Sequence, residues 1–279
     1  MCNSKKKRIF AVQFRVMRDF TEDSYRQLVA ALREAGYRFM TMEQYCDGKS
    51  RLPERFAVLR HDVDLRAAYS GRIARVEKEE GAKASYYFRV IPESNRPEII
   101  RSIARMGHEI GYHYEDMSIA KGDIETAKAH FEQWLAYFRQ FYPVRTICMH
   151  GAPTSRYDGR DLWKKYSYHD YGIIGEPYFD VDFSDLFYLT DTGRCWDGYK
   201  VSLRDKIPVH QDEWIRKGWV YHTTEQVVDA IRQGAMPPRL MITTHPQRWT
   251  NALLPWCREW VLQKAKNIVK RILVKRQNG

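Results

Sequence analysis

What most constrains this chain is an order of events that recurs along it: an amphipathic helical stretch, a short β-branched or aromatic run, then a polar cluster. Tyr25, Leu28, Val29 and Leu32 fall at helical spacing behind a cap candidate, Thr21, and residues 36–40 read as a glycine stop followed by a strand. Further strands are expected at 56–59, 84–88, 108–112, 145–149, 186–189 and 240–244, with helices at 73–80, 97–106, 124–141 and 223–232. Alternation of this kind implies an α/β fold with parallel pairing, because parallel strands need long crossover connections. The polar clusters sit where the strands stop: Arg60-His61-Asp62-Val63-Asp64, Arg89, His113-Tyr114-Glu115-Asp116, His150, Asp191-Thr192-Gly193-Arg194, and His245-Pro246-Gln247-Arg248-Trp249. In closed α/β barrels the loops after the strands converge at one end. Histidines and paired acids at so many strand ends therefore point to one shared site rather than to scattered caps and turns.

Nothing in the chain separates two cores. There is no internal repeat, low-complexity tract or Pro/Gly/Ser linker, so the 279 residues are read as one domain, with a core at about 8–250 and a terminal helix at about 256–276. Apolar residues at 44% and aromatics at 14% exclude a disordered or collagen-like chain. No apolar run nears the roughly 18 residues of a membrane span. The basic residues at 5–8 lead into a run, 9–14, that Gln13 and Arg15 interrupt too early for a signal-peptide core. Five scattered cysteines without a CxxC pair argue against a disulfide framework or a zinc knuckle, and a reducing cytoplasm is the expected setting. The balance of 46 basic and 35 acidic residues, a formal +11, favours phosphate, acidic sugars or an anionic membrane face as partners. Nucleic acid is not expected, since no basic, aromatic-interleaved motif of a known module is present.

The run Leu59-Arg60-His61-Asp62-Val63-Asp64 resembles the first motif of the polysaccharide deacetylases, the NodB-like carbohydrate esterases, in which a strand ends in a general-base aspartate and a metal-binding aspartate. Ala84-Ser85-Tyr86-Tyr87-Phe88 resembles that family's alanine-threonine-aromatic strand. Gly107-His108-Glu109-Ile110-Gly111-Tyr112-His113 matches the strand that leads into its metal-binding histidines. The resemblance covers roughly 56–249. It implies an irregular (β/α)7-type barrel, hydrolysis of N- or O-acetyl groups on a carbohydrate, and a divalent metal ion, with zinc as first choice. By position it makes Asp62 the general base, His245 the general acid, and Asp191 a supporting residue on the substrate side.

The departures from the pattern shape the expected ligand set. Four residues after His113, where the family carries a second histidine, stands Met117, a poor ligand for a hard or borderline ion. Asp64 comes one residue late, and the family's arginine-proline pair is replaced by Met149-His150-Gly151-Ala152-Pro153. The metal ligands are therefore expected to be Asp64, His113 and Glu115, with Asp116 or water completing the shell and His61 as a further candidate. An exchange of roles between Asp62 and Asp64 stays open. Arg89 and Arg194 suit a carboxylate or phosphate through the guanidinium fork, His150 is read as substrate-facing, and Trp196 and Trp249 as stacking on a sugar face. Cys148, in mid-strand, is read as core. The expected substrate is a saccharide, anionic or lipid-diphosphate-linked, in surface-polysaccharide or lipopolysaccharide O-antigen assembly. Two rivals remain: a glycan-binding barrel that has lost the metal, and a metal-free hydrolase of another C–N bond.

In the terminal segment Trp260, Val261, Ala265, Ile268, Val269, Ile272 and Leu273 recur at helical spacing, with Lys264, Lys266, Lys270, Arg271, Lys275 and Arg276 between them. The expectation is a basic amphipathic helix, packed on the barrel by its apolar side and solvated on its basic side. Peripheral contact with the inner face of a membrane is the alternative.

Overall fold

The computed structural model describes residues 18–48, 51–152, 155–197 and 207–277, with side chains described to 268. Pro153 and the N-terminal basic run lie outside the described residues. Seven strands pair in parallel throughout: β1 (Arg38–Met40), β2 (Phe56–Val63), β3 (Ser85–Phe88), β4 (Glu109–Tyr114), β5 (Ile147–Met149), β6 (Phe187–Thr190) and β7 (Arg239–Thr244). Their order is β5-β4-β3-β2-β7-β6, and β1 lies beside the first half of β2. The sheet curls into a half-barrel, as an α/β barrel-like fold requires. The described α-helices are α1 (Glu22–Glu34), α2 (Met42–Asp47), α3 (Ala67–Glu79), α4 (Pro97–Arg105), α5 (Asp116–Ile119), α6 (Ile124–Phe138), α7 (Pro177–Asp180), α8 (Pro208–Arg216), α9 (Thr224–Arg232) and α10 (Leu253–Gln277), with short 3-10 helices at Gly159–Lys164, Tyr168–Tyr171 and Pro246–Arg248.

Local chemistry explains most of these boundaries. Thr21 caps α1 through a reciprocal pair with Ser24, and the buried stripe Tyr25, Leu28, Val29 and Leu32 matches the expected one. Pro97 opens α4, where its missing N–H costs nothing. Gly111, inside β4, fits because it has no side chain: a Cβ there would run into the Tyr87 ring and press on the Thr146 carbonyl.

Two strands outrun the sequence expectation. β2 continues to Val63 and β4 to Tyr114, so their polar residues lie within the sheet rather than beyond it. Both strands have neighbours on two sides, and the ladder carries Arg60, His61 and Asp62 along opposite Ser85, Tyr86 and Tyr87. Alternation then sorts the side chains. Arg60 and Asp62 meet on one face of the sheet, while His61 reaches Glu77 of α3 on the other.

The terminal helix is present as α10 but is turned round relative to the expected packing. Gln263 is 5% exposed, Glu259 pairs with Arg66 (3.3 Å), and Asn267 donates to the Gly193 carbonyl (2.8 Å). Leu254, Val261 and Ile268 are 81%, 58% and 62% exposed. The helix lies over loops that offer carbonyls and charges, so its polar stripe faces inward.

Candidate functional site

Asp64 lies one residue past β2, where its N–H donates to the Asp62 carbonyl (3.1 Å). Three imidazoles from three other strand ends close on its carboxylate. His113 Nε2 and His150 Nε2 each lie 3.6 Å from Asp64 Oδ1, and His245 Nε2 lies 3.8 Å from Oδ2. His113 belongs to β4. His150 follows β5, and its N–H donates to the Tyr114 carbonyl (2.8 Å), extending the strand ladder by one residue. His245 directly follows β7.

Each ring is fixed from behind. Nδ1 of His113 donates to the Cys148 carbonyl (2.9 Å), Nδ1 of His150 to Glu115 Oε2 (2.9 Å), and Nδ1 of His245 to Asp191 Oδ1 (2.6 Å). With each Nδ1 facing an acceptor, Nε2 is the nitrogen that each ring turns toward Asp64, which is how contacts behind a histidine orient it for a metal ion. Asp64 Oδ1 is buried without a hydrogen-bond donor, although Gln247 Nε2 donates to Oδ2 (3.3 Å). An orphaned buried carboxylate oxygen costs about 1–3 kcal/mol or more, a cost that a cation between it and the imidazoles would remove. The spacing fits one. Ligand bonds of about 2.0–2.2 Å in a tetrahedral zinc-type shell place neighbouring donor atoms roughly 3.3–3.5 Å apart.

Asp64, His113 and His150 thus form a group that could hold a metal ion, and Asp62, His113 and Cys148 form a second, fully buried one that shares His113. The first is the better candidate, because Asp62 is already engaged: Arg60 Nε and Nη2 donate to its two oxygens at 2.9 and 2.7 Å. Burial opposes ionisation of Asp62, yet the Arg60 guanidinium and His113 hold its carboxyl well below the usual range. Asp64 is likewise penalised by burial and likewise held low, by His113, His245 and His150. Both carboxylates are ionised at neutral pH, and Asp62 is locked in one orientation.

Several expected roles change. Glu115, expected as a ligand, is gripped by Arg89 through Nε and Nη2 (2.8 and 2.9 Å) and holds His150. Burial works against its charge, but His150 and Arg89 bring its carboxyl down to about 2. It is a positioning residue for His150, which supplies the second imidazole that Met117 cannot. Arg89 accordingly faces Glu115 in the role expected of a substrate anion. Asp116 pairs with His130 and Tyr112, and His61 with Glu77, so neither turns toward Asp64. Arg194 is half-buried under α10, with its guanidinium 4.5 Å from the Trp256 ring centroid and donating to the Trp256 carbonyl (3.0 Å); burial lowers its pKa to about 10.

The sugar-stacking expectation for Trp196 and Trp249 is overturned. Both are buried. Trp249 packs against Phe20, Tyr25 and Trp196, and its indole donates to Asp191 Oδ2 (2.7 Å); Trp196 donates to Thr224 Oγ1 (3.0 Å). Large indoles whose N–H groups find partners belong in a core. Asp191 also accepts from the His245 N–H (3.0 Å) and Arg248 Nη1 (2.6 Å). Despite burial, Arg248 and His245 keep its carboxyl below the ordinary range. With every contact made to the protein, Asp191 is the support of His245.

Sequence reasoning missed His150 as a candidate ligand, the Arg60 clamp on Asp62, and Gln247. For Arg60 a signal existed, since residues two apart on a strand share a face. No protein-family model matches the chain, and no curated protein matches it in sequence.

Proposed function

We propose that this protein is a metal-dependent hydrolase that removes an acetyl group from a carbohydrate. The observation that carries the reading is the Asp64 carboxylate ringed by three Nε2 atoms at 3.6–3.8 Å, each imidazole held through its Nδ1. The likeness of 59–64 and 107–113 to polysaccharide deacetylase motifs supplies the reaction class. Asp64, His113 and His150 would hold the ion, which would polarise the acyl carbonyl and ease ionisation of water at neutral pH. Asp62, ionised and locked by Arg60, accepts the water proton. Nδ1 of His245 is turned to Asp191, so Nε2 is the nitrogen that would carry a proton to the departing amine or alkoxide. Access comes from the side of His150 and His245, whose side chains are partly exposed where that of His113 is closed off. The basic balance of the chain suits an anionic or lipid-diphosphate-linked saccharide of surface-polysaccharide assembly.

The glycan-binding alternative loses the two tryptophans expected to stack on a sugar, since Trp196 and Trp249 are buried, and metal content separates it from the enzyme. The test combines elemental analysis of purified protein with acetate release from N-acetylated and O-acetylated oligosaccharides. One divalent ion per chain, with release that stops in chelator and returns with Zn²⁺, is the expected result. Full activity in strong chelator would instead identify a metal-free hydrolase, and an ion-loaded protein inert on every acetylated glycan would defeat the deacetylase reading.

A further inference from the structure

We propose that α10 docks the protein on the surface of an anionic lipid bilayer, a role independent of the hydrolytic chemistry. The helix is tied down along its inward side. Trp256 Nε1 donates to the Asp19 carbonyl (2.7 Å) and Arg194 to the Trp256 carbonyl; Glu259 pairs with Arg66, and Asn267 reaches the Gly193 carbonyl. These contacts fix which side looks out. Leu254, Val261 and Ile268, seven residues apart, form one line on the exposed side, with Trp260 and Leu262 also exposed. Soluble proteins do not ordinarily leave so continuous an apolar line in water.

Charge decides the occupant. Arg258, Lys264 and Lys266 are exposed on the same helix, and the chain carries a formal +11. An apolar line flanked by cations is the pattern of a helix lying in a bilayer interface, where basic residues add attraction to an anionic surface. A second copy of the chain fits less well. If Leu254, Val261 and Ile268 were one position of a heptad seam, the other would fall on Cys257 and Lys264 in one phase and on Arg258 and Ala265 in the alternative, so a cation would enter the seam either way. Spanning is excluded for the described helices, none of which is long and apolar enough. The remaining geometry is a helix lying flat, about 37 Å long at 1.5 Å per residue.

The experiment is co-sedimentation of the full chain with sucrose-loaded vesicles of phosphatidylcholine alone, and of phosphatidylcholine with about one third phosphatidylglycerol. Binding at least about tenfold tighter to the anionic vesicles, weakening as salt rises, is expected. Val261→Glu and Ile268→Glu should each lower that binding about tenfold while leaving circular dichroism unchanged, since both side chains are exposed. Lys264→Glu/Lys266→Glu should abolish the preference for phosphatidylglycerol. Failure to sediment with either vesicle, or equal binding by the glutamate variants, overturns the proposal. Sedimentation velocity without lipid should show a species that Val261→Glu does not alter; a dimer that this variant dissociates would assign the apolar line to a second copy and overturn it too.

Discussion

Two clusters of histidine and carboxylate lie on opposite faces of β2, and they differ in one respect. Around Glu77, buried between the sheet and α3, every polar atom is answered within the protein. The carboxylate accepts from Tyr25 (2.5 Å), Tyr86 and His61 (2.7 Å), His61 Nδ1 meets Thr244 Oγ1 (2.7 Å), and His108 is held by Ala84 N–H and the Ala74 carbonyl. Around Asp64 the same residue types stop short, with imidazole nitrogens 3.6–3.8 Å away and Oδ1 without a donor. Residue type alone does not separate structure from chemistry. A saturated network rigidifies a fold, whereas convergent atoms left unsaturated await something from outside.

The sharpest test of that contrast is ion content. Asp64→Asn and His113→Ala should each empty the site and abolish acetyl hydrolysis, and chelator should no longer change their thermal stability; variants that keep a full complement of metal would place the ion elsewhere. Next in size, Asp62→Asn should lower turnover by about 10²- to 10⁴-fold at unchanged metal content, measured as acetate release beside elemental analysis. If Asp62→Asn loses the metal and Asp64→Asn keeps it, their roles are exchanged.

On the other face the expectation reverses. Glu77→Gln should cost about 3–5 kcal/mol in urea unfolding, the usual result of breaking a buried pair, with metal content of the folded protein intact. Burial opposes the charge of Glu77, but His61 and His108 lower its pKa below 4.5. Its contribution is therefore present above the unfolded-state value and lost as pH falls through the folded one. The gap between wild type and variant should narrow in acid, and a constant gap would mean that Glu77 is not ionised in the fold. The smallest expected effect belongs to Glu115→Ala, which frees His150 and should weaken metal affinity about 10- to 100-fold without removing it. Titration with a competing chelator reads this, and unchanged affinity would detach Glu115 from the centre.

Periodicity made the strands legible, and the position of histidines and acids at strand ends made Asp62, Asp64, His113 and His245 legible with them. It could not disclose His150, because which imidazole fills the space beside Asp64 depends on how far β5 extends beside β4, a matter of register rather than spacing. The tryptophans misled for a related reason: an indole after a strand serves a sugar or a core equally well until Phe20, Tyr25 and Asp191 are seen around it. For α10 the pattern established amphipathicity but not orientation, which was decided by the polar loops beneath.

Gly111 carries a consequence for how this site tolerates change. His113 lies two residues further along the same face of β4, and Tyr87, whose ring fills the room a side chain at 111 would take, bonds Thr146 beside the start of β5 (2.7 Å). A single methyl group at 111 would have to move an aromatic ring that lies against β4 and is tied by its hydroxyl to Thr146, next to β5. The precision of the imidazole pair thus depends on an atom that is missing, and this part of the curled sheet has almost no slack in which to absorb an inherited error.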